Sequence, residues 1–320
     1  MRIVFFGTPG YVLPILTGLH KRYINTGGVS PIVAVVTQKP KPTGRKKFLA
    51  YSPVDDWAHK RKIPIFFDAK EVMGSKIEAD IGVLASYSQI IPPEVISYFP
   101  KGILNIHPSL LPKYRGASPV QAAIVLKDTE SGGTIIKLDE KLDHGPIVTK
   151  FKESVKKSDT TASLRDRIFE RSKDVLLEVL PAYISGKIRP KAQNDDGVST
   201  TKEIKKEDAF IDPKFIKAAI SKKSLEVKYH LNFIENMDIV LDAETIDSIV
   251  RAMQPWPGVW TQVTLNSKDK SSKEQRLKII SSHLNGDRKV LILDLVQLEG
   301  KNQVTWKQFS EGYPTNSLIS

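Results

Sequence analysis

Asn105 and His107 stand two residues apart at the end of the apolar run Ile103-Leu104-Asn105-Ile106-His107. Side chains of a β-strand alternate between faces, so this spacing sets the amide and the imidazole side by side on one face of a sheet. Pro108 removes the next backbone donor, which predicts that the ladder ends there and leaves both groups at the carboxyl edge, where open α/β sheets bind ligands. Two such groups can donate two hydrogen bonds to one oxygen on which negative charge develops. A lone histidine in a sheet is more often structural, so a second element has to support the chemistry. The segment Leu138-Asp139-Glu140-Lys141-Leu142-Asp143-His144-Gly145 ends another apolar run with three carboxylates. Any of them can reach an imidazole across the sheet edge, and spacing alone does not choose among them.

The elements that must position these residues show as short apolar runs separated by helix-length segments. Ile3 to Phe6, Ile32 to Thr37, Ile81 to Ala85, Ile103 to Ile106 and Thr134 to Leu138 are β-branched or aromatic and bounded by Gly, Pro or Asp. They predict buried parallel strands, with crossover helices over 12–23, 54–61 and 120–127, hence an α/β domain built on a Rossmann-like, open, mainly parallel sheet. Leu164, Ile168, Val175, Leu176, Val179 and Leu180 repeat at helical spacing and predict a long helix over 163–184 that Pro181 should kink or end early. Residues 190–208 are polar and aperiodic and are read as a linker. Beyond it, helical segments near 213–219 and 243–253 precede short alternating runs at 259–265, 277–281, 290–298 and 304–306, a pattern that suits a small antiparallel β-barrel. The predicted organisation is therefore 1–189, linker 190–208 and 209–320. Trp256, Trp260, Trp306 and Tyr313 are read as packing residues.

Composition narrows the chemistry. The 320 residues contain no Cys, which excludes disulfide frameworks, thiol nucleophiles, zinc ribbons and Fe–S clusters together. Phe6-Gly7-Thr8-Pro9-Gly10 sits where a dinucleotide fold carries its glycine fingerprint but lacks the G-x-G-x-x-G spacing, which argues against NAD. The net charge is +12, and 29 basic against 18 acidic residues fall in 1–190, so nearly all of the surplus precedes the linker. Eight basic residues lie within 39–62, against Asp55 and Asp56 alone. Clustered Lys and Arg of this density suit a polyanionic partner. Neither a signal peptide nor an apolar stretch of membrane-spanning length is present, so a cytoplasmic chain without membrane contact is expected.

Several segments together carry a resemblance. FFGTP at 5–9, KPTGRKKFLAYSPV at 41–54, NIHPSLLPKYRGASPVQ at 105–121, LDHG at 142–145 and RAMQPWPGVW at 251–260 resemble, in order and along nearly the whole chain, the folate-dependent formyltransferase family. The loop with Gly44-Arg45 and the PWP-containing second domain resemble its tRNA-acting branch. The resemblance implies an OB-like C-terminal domain that helps hold tRNA. It also implies transfer of a formyl group from 10-formyltetrahydrofolate to the α-amino group of methionyl initiator tRNA, by a monomer that needs no metal. It makes Asn105, His107 and Asp143 the catalytic set, singling out Asp143 from the three carboxylates. It further implies that Ser109, Leu110, Leu111 and Pro112 line the folate site and that Lys41, Arg45, Lys46 and Lys47 engage the tRNA acceptor stem. In that reading Asn105 and a cationic His107 donate to the formyl oxygen, while Asp143 orients the ring and relays the proton lost by the amine. Pro108, Ser88 and His144 depart from residues usual in the tRNA-acting branch. The alternatives are a sister enzyme formylating an amino-sugar nucleotide or glycinamide ribonucleotide, and a catalytically silent tRNA- or folate-binding protein.

Overall fold

A computed structural model describes residues 1–43, 48–222, 225, 227–266, 272–286 and 289–313. Arg45, Lys46 and Lys47 lie outside the described residues. The chain divides into two compact units. The first comprises 1–115, 131–153 and 165–198, and the second 116–130, 154–164 and 199–320.

The first unit is built on a seven-stranded sheet. Its strands are β1 (Ile3–Gly7), β2 (Ile32–Val36), β3 (Ile65–Phe66), β4 (Ile81–Ala85), β5 (Ile103–His107), β6 (Glu130–Lys137) and β7 (Ile147–Ser154), in the spatial order β7-β6-β5-β4-β1-β2-β3. The pairs from β5 through β3 are parallel, as expected. β6 departs from the expectation: it runs antiparallel to β5, with Asn105 opposite Ile136 and His107 opposite Thr134. Its apolar run has the composition of a buried strand in either direction. Direction is set by the intervening chain, which supplies no crossover helix within the first unit, because 116–130 belongs to the second.

Apolar alternation covers both faces of this sheet. Ile3, Phe5, Leu104 and Ile106 join one core cluster with the helices α1 (Leu13–Tyr23) and α2 (Pro53–His59), while Val4, Phe6 and Ile103 join another on the opposite face. The period of two therefore places Asn105 and His107 on the second face, at its carboxyl edge. The long helix of the chain, Thr161–Ile184, continues through Pro181 instead of stopping. Proline at 181 cannot donate to the carbonyl of Leu177, a defect of about 3 kcal/mol in a helix interior. The Tyr23 hydroxyl donates to that carbonyl at 2.7 Å, supplying a partner from another element and offsetting part of the cost.

The second unit has its own core. Helix α3 (Pro119–Val125) is apolar almost all round, so it cannot sit on a surface. It packs against α4 (Ala243–Ala252), where the Ser248 hydroxyl reaches the Val125 carbonyl at 3.3 Å and Lys127 Nζ donates to Thr245 at 3.1 Å. The other insert is tied to the same helix: the Thr161 hydroxyl donates to Ala252 O at 2.6 Å and Arg251 Nη1 to Asp159 O at 2.9 Å. Helical periodicity in the sequence shows that such segments are buried without showing which core buries them. The expected antiparallel strands are present as a four-stranded sheet, β8 (Val259–Asn266), β9 (Ser272–Asn285), β10 (Val290–Leu298) and β11 (Gln303–Thr305), in sequence order. Trp260 packs between Phe210 and the Arg276 guanidinium, and Trp306 stacks on Phe309. Trp256 departs from the packing expectation and is half exposed. Among the described residues no helix is long and apolar enough to cross a membrane.

Candidate active site

The end of β5 brings Asn105 and His107 together as the spacing requires, and both are buried. The loop between β6 and β7 supplies the carboxylate. Asp143, 7% exposed, accepts a hydrogen bond from Asn105 Nδ2 at 3.0 Å and presents its other oxygen to His107 Nδ1 at 3.4 Å. The structure also separates the three acidic candidates. Asp139 is engaged within its own loop, 2.7 Å from His144 Nδ1 and accepting from Lys141 N, and Glu140 is exposed. The loop turns tightly enough that a Cβ on Gly145 would lie 1.9 Å from the Lys137 carbonyl oxygen, so only glycine fits there. Asp143 itself adopts φ +47°, an unusual conformation for a residue with a side chain.

His107 is held from its other side as well. Nε2 lies 2.9 Å from the carbonyl oxygen of Tyr114, a buried residue that also has positive φ, +60°. A carbonyl only accepts, so Nε2 carries a hydrogen and donates it. Nδ1 meanwhile faces the Asp143 carboxylate, an acceptor for a hydrogen carried there. The Nδ1 contact at 3.4 Å is longer than the usual 2.9 to 3.0 Å, so this donor is only loosely committed to Asp143.

The residues after Pro108 fold back beneath this pair. Ser109 is buried, its hydroxyl donating to Lys113 O at 2.6 Å and its carbonyl accepting from the Thr134 hydroxyl at 2.6 Å. Thr134 Oγ1 in turn accepts from Leu111 N at 3.1 Å. Leu111 is fully buried ahead of a cis bond to Pro112, while Leu110 and Pro112 remain partly exposed. A neighbouring loop at the same sheet edge places Ser86 and Ser88 at φ +49° and +64° around Tyr87, whose hydroxyl donates to Gln89 at 3.1 Å. Burial pushes that phenol up to about 12, so it remains a donor at neutral pH.

Of the basic candidates, Lys41 is described. It opens an exposed pair of antiparallel strands, Lys41–Thr43 with Phe48–Ala50, and its Nζ donates to Gln38 Oε1 at 3.2 Å. The return strand carries Phe48 at 70% and Leu49 at 59% exposure. Among the described residues no three His, Asp or Glu side chains gather as a metal site requires.

Tyr114, Thr134, Arg115 and Gln193 were not singled out by the sequence reading. Arg115 Nε and Nη2 donate to Gln193 Oε1 at 3.2 and 2.8 Å, and Gln193 Nε2 donates to the carbonyls of Asp143 and Gly145 at 2.8 and 2.9 Å. Arg115 lies within the quoted NIHPSLLPKYRG motif, which was a usable signal. Gln193 had none, lying in the polar tract read as linker.

An amide, an imidazole and a carboxylate thus meet at the carboxyl edge of a mainly parallel α/β sheet, in a chain without Cys. The chain belongs to the formyl transferase family, whose signature matches residues 1–180. It is 33% identical to the methionyl-tRNA formyltransferase of Methylacidiphilum infernorum (isolate V4), an alignment covering 98% of this chain and 95% of that one. The methionyl-tRNA formyltransferase of Buchnera aphidicola subsp. Schizaphis graminum is also 33% identical, over 80% of this chain and 74% of its own. Among solved structures, WlaRD, a sugar 3N-formyl transferase crystallised with dTDP and 5-N-formyl-THF, shares the fold with a TM-score of 0.60 at 18% identity, covering 90% of this chain and 87% of that one.

Proposed function

We propose that this chain transfers the formyl group of 10-formyltetrahydrofolate to the free amino group of methionyl initiator tRNA. The observation that carries this reading is near-complete alignment, through both compact units, with methionyl-tRNA formyltransferases. In the reaction the neutral amine attacks the formyl carbon, a C–N bond forms, and negative charge gathers on the formyl oxygen. Asn105 keeps one Nδ2 hydrogen for that oxygen while the other holds Asp143. His107, fixed at Nε2 by Tyr114, turns its loosely held Nδ1–H to the same oxygen. Asp143 takes the proton shed by the amine as the bond to folate N10 breaks, and that proton passes to N10 to release tetrahydrofolate. Two such oxyanion donors supply roughly 100 to 1,000-fold each in rate.

Folate is placed along Ser109 to Pro112. Leu110 and Pro112 offer surface to it, and the buried Ser109 and Leu111 hold the turn. Lys41, Arg45, Lys46 and Lys47 meet the acceptor stem, with the first unit performing the chemistry and the C-terminal OB-like unit helping to hold tRNA. The chain acts as a monomer in the cytoplasm. The test offers purified protein and 10-formyltetrahydrofolate with charged initiator tRNA, an amino-sugar nucleotide or glycinamide ribonucleotide. Formylmethionyl-tRNA is the expected product. Turnover of a nucleotide acceptor alone would overturn the reading in favour of a sister enzyme, and tRNA binding without any transfer would overturn it in favour of a silent binding protein.

A further inference from the structure

The backbone of Asp143 lies in the left-handed region, which a residue with a side chain adopts only where its surroundings hold it there. The clamp on that backbone is Gln193. Its Nε2 donates to the carbonyls of both Asp143 and Gly145, spanning the turn. Its Oε1 accepts two hydrogen bonds from Arg115, whose Nη2 also reaches Asp195 Oδ1 at 3.0 Å. The orientation of the amide is unambiguous. Exchanging its oxygen and nitrogen would set a donor against the guanidinium and an acceptor against two carbonyls. Two residues upstream, Lys191 and Ile147 exchange backbone hydrogen bonds of 2.8 and 2.7 Å, so the segment is stitched to the start of β7 before Gln193 reaches the loop. One glutamine thus couples Arg115, downstream of the His107 strand, to the loop that carries the carboxylate.

We propose that Gln193 is a positioning residue, which holds the Asp143 turn so that its carboxylate faces Asn105 and His107. This rests on the formyl-transfer reading. The test compares Gln193→Ala with Gln193→Glu, since glutamate keeps the shape and the Arg115 partner but replaces the donor with an acceptor facing two carbonyls. Both variants should lose at least about tenfold in kcat, with KM for folate and for aminoacyl-tRNA changed by less than about twofold. In an Asp143→Ala background, Gln193→Ala should add less than about twofold, because the two residues act as one unit. Unchanged kcat in both variants overturns the proposal, as does a loss confined to KM or one that recurs in full without Asp143. The His107 ring signals in a proton–carbon NMR spectrum give a readout independent of turnover, and should move in both variants. If the wild-type chain formylates no methionyl-tRNA, the functional reading fails, while His107 signals unmoved by either substitution would overturn the clamp itself.

Discussion

Two regions of the first unit meet the surface in opposite ways. Around the turn at 138–145 and the return at 108–115, Asn105, His107, Ser109, Thr134 and Asp143 all hold named partners and lie buried. In the paired strands 41–43 and 48–50, all six described residues are exposed, and two of the exposed side chains are the large apolar Phe48 and Leu49. The difference fits the roles proposed for the two regions. Groups that stabilise charge in a transition state act best when they need no reorganisation, so their order is established during folding. A surface for a macromolecular partner can leave its cations and apolar side chains in water until the partner arrives. Rate should therefore be sensitive to the first region, and affinity for the large substrate to the second.

The sharpest way to break this contrast is to remove the reacting groups. Asn105→Ala and Asp143→Ala should each lower kcat by at least about 100-fold. Purified variants with near wild-type turnover would reject the assignment. The order of the turn can be attacked without touching a reacting group. Gly145→Ala forces a Cβ against the Lys137 carbonyl and should lower stability by about 1 to 3 kcal/mol in urea melts. An unshifted midpoint would show that the turn yields freely. For the basic segment, Arg45→Ala with Lys47→Ala should raise KM for aminoacyl-tRNA about tenfold, leave the folate KM nearly unchanged and flatten the salt dependence. Equal effects on the two substrates would remove the contrast. The smallest effect is expected at Ser88, held at φ +64°. Ser88→Gly relieves the left-handed strain at some entropic cost, for a net gain of about 0.5 kcal/mol read from the same melts. A loss would show that the serine side chain is worth more than the strain.

Local pattern accounts for much of the site. Apolar runs bounded by Gly and Pro located the strands, and a spacing of two put Asn105 and His107 on one face. The acidic loop was also visible, but Asp139, Glu140 and Asp143 were equivalent by spacing, and a family resemblance made the choice. In the structure Asp143 is the carboxylate that meets His107, while Asp139 is occupied by His144 and Glu140 is exposed. What escaped the sequence joins residues far apart along the chain. Gln193 is 50 residues from Asp143 and 78 from Arg115, and a polar tract with no periodicity gave no sign of either contact. Pro181 looked like a helix stop because its compensating partner, Tyr23, lies 154 residues before Leu177.

By itself, then, the sequence determined five of the seven strands of the first sheet, which residue types stand at the end of β5, and that the chain offers no thiol. These follow from periodicity, backbone sterics and composition, which are local. Only the tertiary structure decided that β6 runs antiparallel, that 116–130 and 154–164 share a core with the C-terminal residues, and which carboxylate meets His107. Those outcomes depend on which buried surfaces and unsatisfied backbone groups find one another across long stretches of chain, and neither periodicity nor spacing records that choice.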